Sequence, residues 1–137
     1  MRTELIQRMT AVLNTATAFT SQGFGVTANL PWDQGGNPLY LKNMKTIYFS
    51  ADRTEQTTLI PVIYGSDVYR TDLICDAYLA VDAKSQPSQL DNLVQTVLAL
   101  KSQTGINNFG VESDYTVETQ EDVAIYTFEF RMNTITT

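Results

Sequence analysis

The sequence predicts an α+β domain, with a mainly antiparallel sheet of four to five strands and two helices packed on one face. Three observations carry this. Apolar residues recur at three- and four-residue steps in two separated segments, and alternate with polar residues in several others. The links between the strand-like segments are short enough for antiparallel pairing. The 137 residues suit one core, so a single domain spanning 1–137 is expected.

The first helix follows from Leu5, Ile6, Met9, Val12, Leu13 and Ala16, which share a face while Glu4, Gln7, Arg8 and Asn14 fall elsewhere. It should end near Thr17 to Phe19, where β-branched and turn residues take over. A long Gly/Pro-rich loop is expected at about 20–44, containing Gly23, Gly25, Pro31, Gly35, Gly36 and Pro38. Its apolar residues, including Phe24, Leu30, Trp32, Tyr40 and Leu41, need cover. They either fold back over the domain's own core or anchor a neighbouring subunit.

Ile47, Phe49 and Ala51 alternate with Thr46, Tyr48 and Ser50 as a strand. The polar Asp52 to Thr57 link reads as a hairpin or extended arm before a second apolar run from Leu59 to Tyr64. Pro61 lacks a ladder donor and puts that run at an edge or breaks it. From Arg70 to Ala83, Leu73, Cys75, Ala77, Leu79 and Val81 line one face, and Asp72, Asp76 and Asp82 share the other with Ile74, Tyr78 and Ala80. Ser85 to Asp91 offers helix-start chemistry, Leu90 to Leu100 a helical face, and Lys101 with Gly105 a stop. Val111 to Thr119, the turn Gln120-Glu121-Asp122 and Ala124 to Met132 read as a closing hairpin whose last strand is central.

The composition argues against most chemistry. There is no histidine, the commonest general base and metal ligand near neutral pH, and one cysteine cannot replace it at a zinc site. No metal site and no cofactor are therefore expected. Cys75 sits within strand alternation and reads as a core residue. The glycine pairs lack the Lys-Ser/Thr context of a phosphate-binding loop. Asp72 and Asp76 lie about 13 Å apart at ~3.3 Å per residue, too far to share one ion or act as one acid–base pair. A solvated or lumen-facing acidic stripe is the expectation there. No enzymatic activity is expected, although two converging carboxylates need no sequence motif.

The net charge of −6 and pI near 4.4 disfavour ordinary nucleic-acid and anionic-membrane binding. They suit a conduit wall that does not hold phosphate. No run is long and apolar enough to span a bilayer, so a protein made in the cytoplasm without export or a membrane anchor is expected.

The order of these elements, with the aromatic closing strand Ile125-Tyr-Thr-Phe-Glu-Phe-Arg-Met132, resembles the tail terminator and tail-completion proteins of lambda-like bacteriophages. The resemblance covers most of the chain in order and length. It implies a structural virion protein of the head–tail neck: a homohexameric ring that caps the tail tube and joins it to the head connector, with DNA only passing through. Its partners would be copies of itself, the tail tube protein and the connector or adaptor protein. In that setting Trp32, Tyr40, Leu41, Asp52, Arg53 and Glu55 are assigned by exposure to subunit contacts. Asp72, Asp76, Asp82, Glu118, Glu121 and Asp122 are assigned by charge to the lumen. Alternatives are another phage neck or connector adaptor, a small ligand-binding module whose aromatic loop and sheet form a pocket, or a small carboxylate enzyme.

Overall fold

The computed structural model describes residues 2–15, 21, 23–60, 68–84 and 111–136. Along them run α1 (Arg2–Thr15), β1 (Gly25–Thr27), the single-turn helix α2 (Leu39–Lys42), β2 (Thr46–Phe49), β3 (Arg53–Ile60), β4 (Val68–Asp82), β5 (Val111–Gln120) and β6 (Val123–Thr136). The class is α+β. The strands form one mixed, mostly antiparallel sheet in the order β1-β2-β4-β6-β5, and β3 pairs with β4 beyond the end of β2.

Among the described residues the sheet has six strands, more than expected, because two segments that the sequence pattern leaves irregular are strands. The 20–44 stretch contains β1, which pairs parallel with β2 through Gly25↔Thr46, Val26↔Ile47 and Thr27↔Tyr48. Three residues are too few to display an alternation, and what holds β1 is tertiary: Phe24 is buried in the core and the Gly25 N–H donates to the Lys45 carbonyl at 3.0 Å. The return from β1 to β2 is a crossover, as parallel pairing demands. The polar link Asp52 to Thr57 is not a hairpin or free arm. It is most of β3, antiparallel to β4 from Arg53↔Ile74 to Ile60↔Val68. Among the described residues β3 pairs only with β4, so it lies at an edge, and Pro61 follows it directly. The helix expected from Ser88 to Leu100 and the 61–64 part of the second apolar run lie outside the described residues.

The closing hairpin is as expected. β4 and β6 stay in register from Tyr69↔Thr136 to Asp82↔Val123, and β6 lies between β4 and β5. The Gln120↔Val123 pair leaves Glu121 and Asp122 as a two-residue turn. Glu121 has φ +54°, the left-handed region that glycine usually fills there.

One face of the sheet carries the core. Leu5, Met9 and Leu13, one helical stripe of α1, pack with Ile47, Phe49, Cys75, Ala77, Leu79, Val81, Ala124, Phe128 and Phe130. Small residues of β4 oppose large ones of β6: Cys75 faces Phe130 and Ala77 faces Phe128. Pairing small with large side chains in this way suits the close packing of a protein interior. No described helix is long and apolar enough to cross a membrane.

Candidate functional site

The side chains that sequence reasoning marked for function are sorted by one irregularity in the backbone. Phe49 faces Ala77 and Arg53 faces Ile74, so three residues, Ser50 to Asp52, oppose two, Cys75 and Asp76. This is a β-bulge. Ser50 closes it: its N–H donates to the Asp76 carbonyl at 2.7 Å, and its hydroxyl oxygen accepts from the Asp76 N–H at 2.9 Å. The Cys75 thiol donates to the Ser50 carbonyl at 3.3 Å.

The extra residue inverts the alternation. Ile47 and Phe49 point into the core, whereas Arg53 and Glu55 are delivered to the opposite face. Ala51, expected to continue the apolar face, is exposed.

On that opposite face Asp76 of β4 stands directly across from Glu129 of β6. Like charges so placed repel. Arg53 reaches over from β3, donating to Asp76 and approaching Glu129 at 3.5 Å. Arg131 donates to Glu129 at 3.0 Å, to Glu55 at 3.4 Å and to Asp72, which also accepts from Arg70 at 2.8 Å. Three arginines and four carboxylates thus form an alternating ladder across β3, β4 and β6.

Asp72 is almost fully buried, at 4% exposure. Burial pushes its carboxyl up, but the hydrogen bonds and charges of Arg70 and Arg131 outweigh this and hold it below the usual carboxylate range. Glu129, then Asp72, push the Arg131 guanidinium further up. Asp76 does the same for Arg53. An aspartate held ionised in this way cannot donate a proton near neutral pH. The expectation of one solvated acidic stripe is therefore corrected: Asp72 is buried and Asp76 half-buried, both paired with arginine.

The remaining acids lie elsewhere. Asp82 ends β4, where its carboxylate accepts the Lys84 N–H at 2.9 Å, and the Ala83 N–H donates to the Asp122 carbonyl at 2.8 Å. This brings Asp82 beside the Glu121-Asp122 turn. Glu118 lies three residues along β5, and all four are exposed. The lumen candidates thus divide into an arginine-paired ladder and an exposed acidic end.

The subunit-contact candidates also divide. Asp52 accepts the Arg2 backbone N–H at 3.1 Å at the start of α1, where a carboxylate suits the helix dipole. Arg2 also donates to the Phe49 carbonyl at 3.2 Å and to that of Ala28, tying the helix start to the ends of β2 and β1. The aromatic loop folds back over its own sheet. Trp32 meets Tyr78 edge-on with ring centroids 5.2 Å apart, and Tyr40 stacks on Tyr78 at 5.1 Å. The Trp32↔Pro38 bridge, with Leu39 N–H donating to the Pro31 carbonyl at 2.7 Å, shapes the loop. Leu41 is half-buried in α2.

A cleft of about 260 Å³ adjoins the ladder, lined by Arg53, Asp76, Tyr115, Thr116, Thr127 and Glu129. Among the described residues no group of three or more Cys, Asp or Glu is arranged to hold a metal ion. Cys75 is buried, and burial pushes its thiol up to about 12. The sequence pattern alone gives no functional role to Arg2, Ser50, Arg70, Tyr78, Glu129 or Arg131. Only the Glu129 and Arg131 alternation on the polar side of β6 signalled any of this arrangement. The chain matches no protein-family model and no curated protein.

Proposed function

We propose that the chain is a structural subunit that assembles with copies of itself into a ring at a bacteriophage head–tail junction. In this reading it caps the tail tube and joins it to the connector, and DNA passes through. The supporting observation is how the surface is used. The carboxylates that suggested chemistry are spent within the ladder, while large apolar side chains stay in solvent: Leu30 at 50%, Trp32 at 42%, Tyr115 at 42% and Val117 at 48% exposure. Surface of that kind suits association with protein. Asp82, Glu118, Glu121 and Asp122 are the acids left to face passing DNA.

The cleft beside the ladder does not itself favour a small-ligand site, since it falls below the roughly 300–1,000 Å³ typical of such sites and its Arg53 is already paired.

Light scattering on the purified protein tests the reading. A closed assembly whose mass does not change with dilution is expected, and a monomer that saturates with a small ligand would overturn it. Lysine at Glu118, Glu121 and Asp122 should make the assembly retain duplex DNA in a salt-dependent way. Unchanged retention would remove these acids from the lumen.

A further inference from the structure

We draw no further inference here: the strongest candidate, the exposed apolar patch of Tyr115 and Val117 on the core side of β5, carries nothing, because nothing among the described residues shows what covers it.

Discussion

Replacing Arg131 with methionine removes the cation that joins Asp72, Glu129 and Glu55. Asp72 then stays buried, its side chain 6% exposed, with Arg70 as its remaining partner. Losing one member of a buried pair typically costs about 3–5 kcal/mol, and the quarter of Arg131 that is exposed, together with the surviving Arg70 contact, brings the expected cost to about 2–3 kcal/mol. Asp72→Leu alone leaves Arg131 with Glu129 and Glu55. It should cost about 1–2 kcal/mol, the net worth of hydrogen bonds to a charged group. The double variant replaces a buried pair by apolar bulk and should cost about 1 kcal/mol or less, so the cycle should show a coupling of about 3 kcal/mol. Urea denaturation of the four proteins measures this, with unchanged slopes marking an unchanged fold. If the two single costs simply add, Asp72 and Arg131 do not act as one unit and the ladder is not what holds β3 and β6 to β4.

Acid should weaken the fold through the same group. The Asp72 carboxyl is lower in the folded chain than in the unfolded one, so its contribution is fully present above the unfolded value of about 3.9 and is lost as pH falls through the folded value. Melting temperature followed below about pH 4 should fall less steeply in the Asp72→Leu, Arg131→Met double variant than in the wild type, and parallel curves would contradict this. The Cys75 thiol should resist labelling at pH 8 until the chain is unfolded; stoichiometric labelling of the native protein would show that the core face is open. Phe128→Ala should cost about 3–5 kcal/mol in urea, because the ring is fully buried opposite a small residue. A loss under about 1 kcal/mol would place that ring outside the core.

The core was legible in the sequence because its signals are periodic and long. Leu5, Met9 and Leu13 repeat at helical spacing, and Cys75 to Val81 and Ala124 to Phe130 alternate, so their buried faces followed from pattern alone, whereas the pairing of β4 with β6 did not. Two features were illegible for definite reasons. The strand β1 is three residues long, and its place depends on Phe24 finding the core. The bulge at Ser50 to Asp52 leaves no mark in composition, yet it moves Arg53 and Glu55 to the far face. Without it, Asp72 and Asp76 read as a bare acidic stripe. With it, they become members of a ladder whose arginines come from three strands. Trp32 and Tyr40 left two readings open in the sequence; the rings pack on Tyr78 of the same chain, and Trp32 keeps much of its surface in solvent.

Electron micrographs of the isolated, negatively stained protein address self-assembly most directly. Uniform annular particles with a central hole, built from a fixed number of copies, are the predicted result. Fields of single 15.3 kDa particles at every concentration, with and without tail components, would contradict it.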